Sequence, residues 1–406
     1  MLYDLINDAV LEEWMISIDD QLEVVRRMRI AMPEMSFAVE SNDHYHREIA
    51  YVPIQPEWKG FVRPVDLCVG FDELLYVVDE ATEEIICLDE AGRELGRLTV
   101  PGVHAVRQDR RFDLLALGTH DTAINGVTYD LACLYRIRMI QGTNYGLEYG
   151  QIVHKTVHPF YFKNTFSLGD AQVRFESIGV LGSNQPAKNN RYYVTRTGPS
   201  ANNANQGPDD AVLQFSSSDE WLTSVSVNTS SGLFNNYFKK PFGLVTYCQP
   251  PQITANAGDD FLVTSLSETQ AIQIQGVTFE ESDFGAEFRP QTFQPDPSLA
   301  NNYLQKPQRF GKPMGLCMAG DNTRYLWVVD SEKDSIYQFT SNGLEGVPPP
   351  PASGERRYAV TSFGGTGSGV GQFNEPRAAA YYKKILYVAD AGNGRIVRYK
   401  LTLDFD

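Results

Sequence analysis

The chain is poor in positive charge. Among its 406 residues, Lys and Arg number 35 against 51 Asp and Glu, a formal charge of −16. Nucleic-acid backbones and anionic lipid surfaces both require basic patches, so neither is expected as a partner. Long apolar runs are missing: no stretch of about 18 apolar residues occurs, which excludes a transmembrane helix. The first residues, Met1-Leu-Tyr-Asp-Leu-Ile-Asn-Asp8, carry acids inside the apolar stretch and no basic region. They do not read as a secretory signal, and a cytoplasmic or virion location is expected. Without such a signal, the sequon Asn228-Thr-Ser230 carries no weight. Cysteines are few and scattered: Cys68, Cys87, Cys133, Cys248 and Cys317, with no C-x-x-C pair. They read as small buried apolar residues, because a disulfide frame or a zinc site needs pairs or clusters.

What is present is strand and turn material. Hydrophobic residues make up 42%, enough for a large core, while 12% aromatics and 33 Gly favour strands joined by tight turns. The length alone admits two or three domains, although all-β units often run longer. A repeat decides between these. Near the C-terminus, Pro376-Arg-Ala-Ala-Ala380 is followed by Ile385-Leu-Tyr-Val-Ala-Asp390 and Asn393-Gly-Arg-Ile-Val-Arg-Tyr399. A second copy has Pro313-Met-Gly-Leu-Cys317, Leu326-Trp-Val-Val-Asp330 and Ile336-Tyr-Gln-Phe339. A third has Pro64-Val-Asp-Leu-Cys68, Leu75-Tyr-Val-Val-Asp79 and Ile85-Ile-Cys-Leu88. In each, the Asp precedes an Ile by six residues.

The pattern has a physical reading. Pro opens an inner strand, where its missing N–H does no harm. The Leu-aromatic-Val-x-Asp run is a second strand ending in a turn former, and the Ile-led run is the third. An outer strand follows, Glu94–Val100 in one copy and Arg357–Phe363 before the last. Weaker copies begin at Val103, Ile178 and Pro241, the last with Ala271–Ile274 as its third strand. Six four-stranded units, each with open edges, are expected to close radially. The expected fold is all-β: a six-bladed β-propeller over residues 61–406, with a short helical N-terminal extension in residues 1–60.

The C-terminal unit resembles an NHL repeat. The family pattern of a Gly-rich stretch, Gln-Phe, Pro, Tyr-Val-Ala-Asp and Asn-x-Arg-Ile is matched by Gln372-Phe373, Pro376, Tyr387-Val-Ala-Asp390 and Asn393-Gly-Arg395-Ile396. The units at 64–88 and 313–339 match well but lack the Asn and Arg. The resemblance implies a fold rather than a chemistry, because NHL-type propellers host both binding modules and enzymes.

Residues 1–60 lie outside the repeat. Helices are expected from Leu2 to Glu13 and from Asp20, capped through Glu23, to Met32 before Pro33. Their apolar positions, Leu2, Leu5, Ile6, Trp14, Leu22, Val25 and Met28, form a candidate interaction arm. His46–Val52 is the expected outer strand of the last blade, closing the ring with both chain ends. Two insertions, 197–208 and 283–309, are long enough to carry binding.

Catalytic signals are scarce. The run at 364–371 has no Lys and leads into a strand, so it reads as an inter-blade linker and not a phosphate cradle. Pro348–Pro351 reads as a stiff loop, with a polyproline ligand as the sharper version. His44/His46 and His154/His158 have chelating spacings without a third ligand, so no metal is expected. His104 and Asp66 sit early in inner strands and are expected to line the channel. Asp79, Asp330 and Asp390 recur at one blade position and read as hairpin residues, not catalysts. No G-x-S-x-G motif or Ser-His-Asp set stands out. No catalytic residue and no cofactor is assigned. The expected function is a non-catalytic platform for protein–protein interaction, with other subunits or further copies as partners, and a phage tail or capsid-associated protein as its specific form. The alternative is a metal-dependent hydrolase or lyase of the lactonase type, with its site at the channel.

Overall fold

Pro64, Pro241, Pro313 and Pro376 each open the innermost strand of a blade, as their missing N–H permits. The computed structural model describes residues 49–159, 166–199, 209–252, 256–282 and 285–405. Six blade sheets follow one another along the chain, antiparallel except for one parallel pair, Val227 with Phe288, where a hairpin joins the fourth. The first holds Pro64–Val69, Leu75–Asp79, Glu84–Leu88 and Glu94–Thr99. The second holds Ala105–Gln108, Leu114–Ile124, Val127–Arg138 and Gln151–Val157. The third holds Arg174–Val180, Tyr192–Thr197, Ala211–Phe215 and Trp221–Ser224. The fourth runs Pro241–Thr246, Phe261–Ser265, Ile274–Ser282 and Gly285–Gln291, and adds a hairpin of Val227–Thr229 and Gly232–Phe234. The fifth holds Pro313–Met318, Leu326–Asp330, Ser335–Phe339 and the short Phe363–Gly364. The sixth joins Pro376–Tyr382, Ile385–Asp390 and Arg395–Leu401 to Tyr51–Lys59 from the other end of the chain. This is an all-β, six-bladed propeller.

The core lies between blades. Successive strand residues point to opposite faces, so Val77 packs towards the sixth blade while Tyr76 and Val78 pack towards the second. Six apolar clusters result, one at each blade interface, from Val65–Leu147 between the first and second blades to Trp58 and Tyr387 between the sixth and first. The inner strands are therefore buried on both faces, and exposure falls to outer strands such as Glu94–Thr99 and Gln151–Val157.

Several expectations shift. The closing strand is Tyr51–Lys59, not His46–Val52. Pro53 and Pro56 fit because the strand is an edge, a bulge between Ile54 and Trp58 absorbs the extra residues, and both of those side chains are buried. The third strand of the fourth blade begins at Ile274, after an exposed Ile272, and not at Ala271 as the repeat spacing predicts. Residues Arg357–Phe363 contribute only an isolated bridge at Ala359 and the pair at Phe363–Gly364. Within 283–309, Gly285–Gln291 is the fourth strand of its blade, and Leu304 is buried against the fourth–fifth interface. The arm residues Leu2, Leu5, Ile6, Trp14, Leu22, Val25 and Met28, with His44 and His46, lie outside the described residues.

Candidate functional site: the central channel

The inner strands run in one direction, so their starts form one mouth of the channel and their ends form a chamber at the other side. Equivalent second positions at the near mouth are Val65, His104, Glu176, Phe242, Met314 and Arg377. The mixture of residues shows no blade-to-blade pattern. The near-mouth cavity measures about 100 Å³ and the far chamber about 50 Å³, and Arg107, Leu244 and Leu316 line both.

Asp66 and His104 lie at the near mouth as expected, and both are bonded to the frame. Asp66 Oδ2 accepts from the Val106 backbone N–H at 2.8 Å and from Arg107 Nη1 at 2.7 Å, tying the first blade to the second. Burial works against the Arg107 charge, but the adjacent Asp66 outweighs it and raises the Arg107 pKa. His104 lies with Nδ1 3.0 Å from the Gly102 carbonyl and Nε2 2.5 Å from the Phe175 carbonyl, spanning the second and third blades. Ser177 Oγ accepts from Leu244 N at 3.2 Å, and Thr195 Oγ1 donates to the Phe242 carbonyl at 2.8 Å, joining the third blade to the fourth. At the rim, Arg63 Nη2 and Arg377 Nη1 donate to Glu375 at 2.9 and 3.1 Å.

The far chamber is different. Its lining carries one ionisable cation, Arg107, three thiols and several aliphatic side chains. Burial pushes the thiols up, to about 12 for Cys68 and Cys317 and about 11 for Cys248. Gln108 at its edge donates to Asp72 Oδ2 at 2.8 Å, which also accepts from the Tyr76 and Tyr145 hydroxyls.

The remaining candidates do not converge. His154 Nε2 lies 3.2 Å from Thr156 Oγ1 on an exposed strand, whereas His158 Nε2 is buried 2.8 Å from Asp170 Oδ1. Among the described residues, no three His, Cys, Asp or Glu side chains are placed to hold a metal ion. Asp79, Asp330 and Asp390 have a shared task. Asp79 accepts from the N–H groups of Val62 and Arg63, Asp330 from those of Gly311 and Lys312, and Asp390 from that of Asn374. Each carboxylate thus clamps the chain just before the Pro that opens its own blade. Sequence reasoning missed Arg107. A signal existed: counted from the strand opening, its equivalents in other blades are Cys68, Gly179, Val245, Cys317 and Ala380, none of them charged.

No protein-family model matches the chain, and no curated protein matches it. Solved propellers do. Virginiamycin B lyase from Staphylococcus aureus is 12% identical with a TM-score of 0.43, over 87% of this chain and 100% of that one. The PQQ-bound aldose sugar dehydrogenase of Streptomyces coelicolor is 12% identical with a TM-score of 0.47, over 87% and 98%. An auxiliary nutrient binding protein of Bacteroides thetaiotaomicron is 10% identical with a TM-score of 0.47, over 84% and 70%. These neighbours include enzymes and a binding protein, and none assigns this chain a substrate. Among the described residues, no helix is long and apolar enough to cross a membrane.

Proposed function

We propose that this chain is a rigid, non-catalytic NHL-like platform that assembles with further copies of itself into a larger protein assembly. One observation carries the reading: an uncharged apolar rim on neighbouring blades. The added hairpin leaves Gly232–Phe234 as an edge strand, with Leu233 65% and Phe234 44% exposed. Leu222 on the outer strand of the third blade is exposed as well. Three other edge strands carry charge, as natural sheets use to block pairing. Arg97 on the first blade's outer strand pairs with Glu84 and Glu94, the closing strand carries Glu57 and Lys59, and the second blade's edge carries Lys155. An unguarded apolar edge is a contact surface. The polar groups of the near mouth support the same reading, because they hold blades together. The specific form is a virion component, a phage tail or capsid-associated protein, with residues 1–40 as a second contact.

Sedimentation velocity on the full chain tests this. A species heavier than the 45.5 kDa monomer is expected. Leu233→Glu and deletion of residues 1–40 should each leave the propeller folded and reduce that species. A full chain that stays monomeric at high concentration, or association untouched by both changes, would sink the proposal.

A further inference from the structure

The far chamber of the channel has one charged side chain with unused donors. Its polar side chains bond within the protein: Gln249 Nε2 donates to the Thr246 carbonyl at 2.9 Å, and Thr246 Oγ1 donates to the Val180 carbonyl. Arg107 is the exception. Its Nη1 serves both Asp66 and the Val106 carbonyl, and no acceptor among the described residues meets Nε or Nη2. A guanidinium presents five N–H donors in a planar fork that matches a carboxylate. The walls around it are apolar, formed by Leu67, Ile178, Leu244 and Leu316 with the protonated thiols of Cys68 and Cys317. Among the described residues, no Asp or Glu lines this chamber. At about 50 Å³ it is far smaller than the roughly 300–1,000 Å³ of a pocket for a drug-sized ligand.

We propose that the channel binds a short-chain monocarboxylate, of acetate to butyrate size, with its carboxylate on the open donors of Arg107 and its alkyl chain against the aliphatic wall. Asp66 fixes the guanidinium from the near-mouth side and balances part of its charge, so the affinity is on the order of millimolar. This site is separate from the assembly surface and stands or falls independently of it.

The test is a titration of the full chain with sodium propionate at constant ionic strength held with sodium chloride, read by thermal unfolding and by ligand NMR line broadening. Propionamide has the same shape without the charge. A saturable response to propionate, at least tenfold weaker with propionamide, is expected. Because Arg107→Gln alone leaves a buried Asp66 unpaired, the comparison uses the paired change Asp66→Asn with Arg107→Gln, checked for folding by circular dichroism. That variant should lose the response. No saturable response at tens of millimolar propionate overturns the proposal. So does an equal response to propionamide, or an undiminished response in the folded double variant.

Discussion

Arg63 and Glu375, 312 residues apart in the chain, form a two-point contact at 2.9 and 3.0 Å where the first blade meets the sixth. They mark the seam at which the ring closes. Both side chains are about one-third exposed, so solvent screens the pair and it is worth about 0.2–1 kcal/mol. The seam is held mainly by apolar packing. Trp58 from the closing strand is buried 5.7 Å from the Tyr387 ring, with the Arg398 guanidinium over its face. Trp58→Ala should therefore cost about 3–5 kcal/mol, and Glu375→Gln less than about 1 kcal/mol. Denaturant unfolding of the two variants checks the order; equal losses would mean that charge, not packing, closes the ring.

The seam also sets an acid response. Burial alone would raise Glu57 and Glu375, but Lys59 and Arg395 outweigh it at Glu57, and Arg63 and Arg377 at Glu375, so both sit below the ordinary glutamate range. A depressed folded-state pKa adds stability above the unfolded pKa, near 4.3, and loses it as pH falls through the folded value. Hydrogen exchange in Tyr51–Lys59 should accelerate below about pH 4 before exchange in the inner strands. Uniform acceleration across all blades would contradict this.

The recurrent aspartates make a sharper prediction. Asp330 is fully buried and accepts from Gly311 N at 2.7 Å and Lys312 N at 2.8 Å. Asp330→Ala leaves four backbone donors, those of Gly311, Lys312, Glu332 and Lys333, without their carboxylate and should cost on the order of 3 kcal/mol. Asp330→Asn keeps one acceptor oxygen and should cost less. Thermal unfolding of the pair distinguishes a clamp from a turn preference, because a residue needed only for its turn would tolerate Asn without loss.

All five cysteines are free and buried, and burial pushes their thiols up to about 11 or 12. The thiolate is the reacting form. Native protein should resist alkylation by iodoacetamide at pH 8 and react at all five positions once unfolded, a difference that mass spectrometry counts directly. Rapid labelling of Cys68 or Cys317 in the native state would mean that reagents enter the far chamber freely.

The repeat made the fold legible because it records one physical demand: an apolar inner strand in every blade, opened by Pro in four of them and clamped by the recurrent Asp in three. Where a blade departs from that demand, the sequence is less readable. The second blade's hairpin from Leu114 to Arg138 turns at Asn125-Gly126, both with positive φ. The turn pair was visible in the sequence, yet the strands extend well beyond the repeat length. The closing strand lies further along than the sequence suggests, because Pro53 and Pro56 look like breakers until the strand is known to lie at an edge. The channel was half legible. Asp66 and His104 followed from their strand positions, but which partner each meets depends on blades that are distant in sequence.

The second and third blades are tied by a buried cation. Arg136 donates to Asp219 through Nε and Nη2 at 2.7 and 2.6 Å and to Asp109 through Nη1 at 2.8 Å, and all three side chains are buried. Tyr192 adds its hydroxyl to Asp219 at 2.8 Å. Burial works against the Arg136 charge, and the two aspartates outweigh it. Arg136→Met removes the cation, leaving Asp219 buried without one and Asp109 with only the partly exposed Arg111 at 2.7 Å, which should cost about 3–5 kcal/mol at neutral pH. In the variant, at least one carboxylate gains by taking up a proton, so its folded-state pKa rises above the unfolded value. Stability is then greatest below the unfolded pKa and falls as pH rises through the folded one. The difference between variant and native protein should narrow from pH 7 to pH 5. A constant difference across that range would assign the loss to packing instead of charge.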